Sequence, residues 1–194
     1  MLIILTEFPI VNYLFNEFSL SGFIFNILCS VIASLIFILL LLYTLKPKFK
    51  IVGKIAKNDS PFDSTDEICY FFKIINKSFF DAYDIQAKVN SYKIKQGENG
   101  IVNRVHNKIE LKTSQINYVK RNKFCQKNSG ENCVQFVTYE DLTKLMSSGD
   151  VHIQITARHS LTGLSNIFTY DFVNKSSIIE GKFKEGDFEE VIEC

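Results

Sequence analysis

The residues of this 194-residue sequence that could do chemistry are five cysteines, three histidines and a few acidic clusters. Cys29, Cys69, Cys125, Cys133 and Cys194 include no C-x-x-C pair, so the spacing that closes a tetrahedral zinc site is absent. Cys125 and Cys133 bracket QKNSGEN and could meet across a hairpin, but in a cytoplasmic domain both are expected to stay reduced. The histidines are His106, His152 and His159. His159 precedes Ser160 in ARHSLTG, which superficially pairs a base with a nucleophile. Neighbouring residues of an extended strand point to opposite faces, and no Gly-x-Ser-x-Gly elbow accompanies them, so a hairpin tip with capping hydroxyls is expected. Asp63, Asp66 and Glu67, and separately Asp187, Glu189 and Glu190, lack the ordered oxygen spacing of a calcium loop and read as solvated surface. Gly97 and Gly100 do not lead from a strand into a helix, which argues against a phosphate cradle. Asn76-Lys-Ser78 and Asn174-Lys-Ser176 match the glycosylation pattern by chance in an Asn-rich chain. No catalytic residue, metal ligand or cofactor is expected, and no enzymatic activity.

The elements that would position these residues begin with an apolar run. From Phe18 to Leu45 no side chain is charged, more than the roughly 20 residues needed to cross a bilayer core. LIFILLLL (Leu35–Leu42) is apolar on every face, unlike a helix packed on a small domain. A cleaved signal peptide fits poorly, because the basic n-region and small-residue cleavage site are missing and the run is too long. The sequence therefore predicts one retained transmembrane helix over 18–45, preceded by an apolar, interrupted segment (1–17) suited to the membrane interface.

Every Lys and Arg lies at or after Lys46, and Lys46, Lys48, Lys50, Lys54 and Lys57 follow the helix without an intervening acid. The positive-inside rule then places the N-terminus outside and the following domain in the cytoplasm. The same basic juxtamembrane segment (46–57) is a candidate for lipid headgroup contact. Within the helix, Gly22, Asn26, Ser30 and Ser34 recur every four residues, with Cys29 and Ala33 on the same arc. Small residues let helix backbones approach and a buried Asn seeks a partner, so Gly22, Asn26, Ser30, Ala33 and Ser34 form a candidate self-association stripe.

Residues 58–194 change character, to short runs of β-branched and aromatic residues separated by Asn, Gly, Ser and Asp. Strands are predicted at Phe49–Ala56, Glu67–Asn76, Ala82–Tyr92, Lys108–Lys112, Ile116–Lys120, Cys133–Thr138, Val151–Arg158, Asn166–Val173 and Ile178–Lys184. In Val151–Ala157, apolar and polar residues alternate strictly, the mark of a sheet with one wet face. Only Tyr139–Met146 has helical spacing. The pattern predicts an all-β, immunoglobulin-like β-sandwich following the transmembrane helix, with a closed β-barrel as the alternative.

KIINKSFFDAYDIQAKV (Lys73–Val89) resembles paired strands of immunoglobulin-like modules, in which a strand ends in Asn and Ala-x-Asp opens the next. ITARHSLTGLSNIFTYDFVNKSSIIEGKF (Ile155–Phe183) is loosely similar to the cytoplasmic immunoglobulin-like (E-set type) domain of inward-rectifier potassium channels, through Ile178, Gly181 and Phe183. The Gly-to-Phe interval is one residue shorter here. The chain has one membrane helix where that family has two, and no Thr-x-Gly-Tyr-Gly filter, so the resemblance implies the superfold and no pore of that type.

The Lys-, Asn-, Ile- and Phe-rich composition matches AT-rich codon usage and points to a bacterial source. With a formal net charge of +1, no nucleic acid partner is expected. The sequence predicts a single-pass inner-membrane protein whose cytoplasmic β-domain binds a protein or small ligand, with homo-oligomerisation through the helix. The alternative is an oligomerising, membrane-disrupting or pore-forming effector with a ligand-sensing β-domain, of the antiphage type.

Overall fold

The 26 residues Leu20–Leu45 contain neither proline nor charge, so nothing interrupts the hydrogen-bond ladder, and they form one continuous helix, α1. Pro47, two residues on, cannot extend it. The computed structural model describes residues 20–60, 67–96, 102–121, 130–159 and 162–193. The chain divides into two compact units, Met1–Thr44 and Leu45–Cys194.

In the second unit, β-branched and aromatic runs form strands β1 (Phe49–Asp59), β2 (Ile68–Asn76), β3 (Ala82–Gln96), β4 (Val102–Ile109), β5 (Gln115–Val119) and β6 (Cys133–Thr138). After a short helix α2 (Leu142–Leu145) come β7 (Asp150–His159), β8 (Ser165–Phe172), β9 (Ile178–Glu180), β10 (Lys182–Phe183) and β11 (Val191–Ile192). One sheet has the order β6-β2-β1-β9, antiparallel except for the parallel β1–β9 pair. The other runs β4-β3-β7-β8, all antiparallel, and β5 joins β3 as well. At 15 residues β3 is long enough to serve two partners: β5 takes its first half and β4 its second.

The two sheets face each other across one core. Phe49, Ile55, Phe72 and Ile74 pack from the first sheet against Ile85, Val89, Ile153, Ile155 and Phe172 of the second. Each such side chain contributes about 2 kcal/mol by leaving water. Along β7 the expected alternation holds, with Val151, Ile153, Ile155 and Ala157 buried and the residues between them partly exposed. Among the described residues neither sheet closes on itself, so the architecture is an all-β sandwich and not a barrel.

The outer face of the β6-β2-β1-β9 sheet is also covered. Val52, Ala56, Cys69, Phe71, Ile75 and Val137 cluster there beneath Phe183 and Val191 of the β10–β11 segment. That third layer explains why β2 is buried at every position after Ile68.

Most expected strands lie where the pattern places them, with three differences. The strand expected at Lys108–Lys112 is β4, ending at Ile109, because the backbone beyond it leaves β3: the Glu110 N–H donates to Glu140, its carbonyl accepts the Thr138 hydroxyl, and the Lys112 N–H donates to the Val137 carbonyl. The expected Ile178–Lys184 strand is split at Gly181, whose φ of 140° favours glycine. A Cβ there would come within 2.1 Å of the Ile192 carbonyl oxygen. Residues 49–57, read as juxtamembrane, lie within β1. Within the predicted Tyr139–Met146 helix only α2 is helical, capped by Asp141, which accepts the Lys144 N–H at 3.1 Å.

Candidate membrane helix and the polar sites of the β-domain

Over Gly22–Leu45, α1 is long and apolar enough to cross a membrane. Every side chain from Phe23 to Thr44 is exposed. At roughly 100° per residue, Gly22, Asn26, Ser30, Ala33 and Ser34 share one arc of about 120°. Further along, Phe37, Leu40 and Leu41 occupy that same arc, so the small, polar stripe is confined to the N-terminal half of the helix. The Ser30 hydroxyl donates to the Asn26 carbonyl at 2.8 Å. Ser30 is thereby satisfied within its own helix, which leaves the Asn26 amide as the strongest polar group of the stripe.

The five lysines after α1 differ in setting. Lys46, Lys48, Lys50 and Lys54 are exposed, while Lys57 is half-buried. Lys50 pairs with Glu189, and Lys57 donates to Glu180 at 2.6 Å. That hydrogen bond raises the Lys57 ammonium pKa above the ordinary lysine value and lowers that of Glu180. Both acids lie far along the sequence, so these pairs exist only after folding. A topology signal acts on the nascent chain and counts all five charges; in the folded domain Lys50 and Lys57 are already held by acids.

The stretch leading into β1 is fastened to the β-domain. The Lys48 N–H donates to the Ser78 hydroxyl and the Lys48 carbonyl accepts the Lys77 N–H, both at 2.7 Å. The Asn166 amide donates to the Pro47 carbonyl at 3.2 Å.

Two buried polar residues carry more structural weight than the sequence discloses. Lys73, in the middle of β2, is 1% exposed. Its Nζ donates to the carbonyls of Lys184 (2.8 Å) and Phe188 (2.9 Å) in the segment covering the sheet. Burial lowers its pKa, and the adjacent Cys133 thiol is pushed up by the same cause. Cys133 is a free thiol that donates to the Gly186 carbonyl at 3.2 Å; Cys125 lies outside the described residues. Asn76, at the end of β2, is fully buried. Its amide reaches the carbonyls of Phe80 (3.3 Å), Val119 (3.4 Å) and Lys120 (3.0 Å), and its Oδ1 accepts the Ser78 N–H at 2.9 Å. The Asn-x-Ser match at Asn76 thus marks a turn lock. A Lys within the apolar run ICYFFKIIN (Ile68–Asn76) and the Asn that ends it were the available signals.

His159 is buried at the end of β7, its ring edge-on to Phe80 with centroids 4.9 Å apart. The Thr162 N–H and hydroxyl approach its Nδ1, as expected of a capped hairpin, and burial lowers its pKa. Ser160 is outside the described residues. His106 lies by the Tyr92 ring, while His152 pairs with Asp171 across β7 and β8 at 2.6 Å on the wet face. Sequence reading missed that pair, which only the β7–β8 register brings together. Asp187, Glu189 and Glu190 are each matched to a lysine: Lys77, Lys50 and Lys184. Glu67 is exposed, whereas Asp63, Asp66, Gly97 and Gly100 lie outside the described residues. Among the described residues no three His, Cys, Asp or Glu side chains group as a metal site. A shallow cleft of about 600 Å³ is lined by Lys57, Glu67, Tyr70, Tyr139, Asp141 and Thr143. Its polar groups are tied to one another, the Tyr70 hydroxyl donating to Asp141 at 3.0 Å and touching the Thr143 hydroxyl.

No protein family and no curated protein matches the chain. Similar solved structures include the following two. The ApaA protein of Bordetella pertussis is 8% identical over 67% of this chain and 96% of its own, with a TM-score of 0.35. A structural genomics target, SoR45, is 10% identical over 67% of this chain and 88% of its own, with a TM-score of 0.32. Likenesses this distant assign neither family nor activity.

Proposed function

We propose that this is a non-enzymatic, membrane-anchored binding and assembly protein. In this reading α1 crosses a bacterial inner membrane once, with the N-terminus outside, and holds the β-sandwich at the cytoplasmic face. The observation that carries it is the exposure of α1: all its large side chains from Phe23 to Tyr43 face outward. Leaving so many apolar side chains in water, at about 1.5–3 kcal/mol each, would cost several times the stability of an ordinary domain. A bilayer removes that cost along the whole helix. Lys46, Lys48, Lys50, Lys54 and Lys57 supply the orientation, and the Gly22–Asn26–Ser30–Ala33–Ser34 arc supplies a seam for a second copy. We read the β-domain as immunoglobulin-like, of the E-set type. Its two facing sheets and the Asn76-to-Ala82 turn support this, and its binding partner would be a protein or small ligand.

The test is a pair of C-terminal fusions of the full chain, one to a periplasm-dependent phosphatase and one to a cytoplasm-dependent fluorescent protein. Fluorescence without phosphatase activity is expected; the converse would overturn the orientation. Cross-linking in membranes should give dimers or higher species that Asn26→Leu combined with Ser34→Leu depletes. Depolarisation of cells on induction, abolished by Ser30→Leu with Ser34→Leu, would instead favour the membrane-disrupting effector.

A further inference from the structure

We propose that two copies of this chain pair through the edge strand β8, antiparallel and centred on Tyr170, so that their second sheets join into one. The inference is independent of α1, because this edge lies wholly within the β-domain.

The second sheet ends at β8, which pairs with β7 and, among the described residues, has no strand on its other side. The His159 N–H donates to the Leu164 carbonyl at 2.8 Å, and the β7–β8 register continues from there without a shift. Backbone groups along an antiparallel strand alternate in direction, so Asn166, Phe168, Tyr170 and Phe172 turn theirs to β7. Those of Ser165, Ile167, Thr169 and Asp171 point outwards. The Asn166 side chain covers one of them, accepting the Ile167 N–H at 3.0 Å. A row of outward donors and acceptors is matched by another extended strand.

Two other edges are guarded. β4 carries exposed Arg104, His106 and Lys108, while Val137 and Thr138 of β6 are bonded to Lys112 and Glu110. β8 contains no Lys, Arg or Pro, the residues that blunt a sheet edge. Its one charge, Asp171, is held by His152. Ile167 (59%) and Val173 (58%) stand exposed, one towards its start and one just past its end.

The strand's own sequence makes a second copy the occupant. With Tyr170 opposite its counterpart, Ile167 faces Val173 of the second copy and Thr169 faces Asp171. One two-fold axis thus covers both exposed apolar side chains in each copy, and no like charges lie directly opposite. Moving the centre by one residue sets Ile167 against Asp171 or Lys175 instead.

The test is disulfide trapping in the full chain. Two differently tagged copies, Ile167→Cys and Val173→Cys, are reconstituted together in lipid vesicles and oxidised, with the unsubstituted chain giving the background of its own cysteines. The mixed disulfide should exceed either same-site disulfide at least about tenfold, because same-site positions lie roughly 20 Å apart in this register. Equal mixed and same-site yields, as random collision or contact through α1 alone would give, overturn the proposal. Ile167→Lys with Val173→Lys should speed hydrogen exchange at the Thr169 and Asp171 amides by about fivefold or more, with β7 unchanged, since like charges then face each other. Ile167→Lys with Val173→Glu sets opposite charges together at both ends and should restore the slow exchange; failure to restore it would also overturn the pairing.

Discussion

Asn76→Ala isolates the turn lock between β2 and β3. In the folded domain the side chain satisfies the Ser78 N–H and offers two amide hydrogens to the carbonyls of Phe80, Val119 and Lys120. Three net hydrogen bonds at about 1 kcal/mol each give a loss of roughly 3 kcal/mol. The site is fully buried, so no water reaches the orphaned groups to soften that figure. For a domain of this size the loss corresponds to about 6–12 °C in Tm. Asn76→Asp keeps the acceptor for Ser78 but turns a carboxylate towards three carbonyls, so it should be at least as damaging, increasingly so as pH rises. The control is Asn174→Ala, the other Asn-x-Ser position. Asn174 is exposed and its side chain makes no cap hydrogen bond, so the change should stay within about 0.5 kcal/mol. Because the chain has no Trp and 8 Tyr, unfolding of the full chain in mild detergent is best followed by circular dichroism and tyrosine fluorescence. Equal stability of Asn76→Ala and wild type would refute the turn-lock argument outright.

Three further outcomes follow from named contacts. Burial lowers the Lys73 pKa from 10.5, so the folded state releases that proton before the unfolded chain does; wild-type stability should rise with pH in the alkaline window just below 10.5, and Lys73→Met should lack that slope in pH-dependent denaturation. The same variant should speed hydrogen exchange at 184–190. Gly181→Ala forces a Cβ against the Ile192 carbonyl at a φ of 140° and should cost about 2–4 kcal/mol by chemical denaturation, loosening β10 and β11 first. His152→Ala removes an exposed pair with Asp171 and should shift stability by less than about 1 kcal/mol, a result that would exclude this pair as a hidden structural centre.

Strict alternation made β7 legible because one of its faces is dry and the other wet; β6 does not alternate in burial, and its bounds were legible from its β-branched and aromatic run after the turn-rich Asn128–Asn132 sequence. β4 was not, since Arg104 to Lys108 are all exposed and only Ile109 among its described side chains is buried; an edge strand with little dry surface leaves no period to read. Lys73 was illegible for the opposite reason. Its face of β2 is covered by residues more than a hundred positions later, and local pattern cannot register a distant lid. The apolar run of α1 was plain from composition alone. Its stripe was readable as a pattern, but the back-bond of Ser30 to Asn26, which makes Ser30 a small residue more than a donor, needed coordinates.

The parallel pairing of β1 with β9 joins Ile55 to Ile178, and this sets a clock on biosynthesis. At about 5–20 residues per second, some 6–25 s of translation separate the two strands. Through that interval β1 has β2 on one side only and its other edge stays unpaired, while Val52, Ala56, Phe71 and Val137 await the β10–β11 cover. The domain therefore cannot close as it emerges. It must wait, half-sheeted, for its late strands, and a chaperone acting on this chain would find its purpose in those seconds.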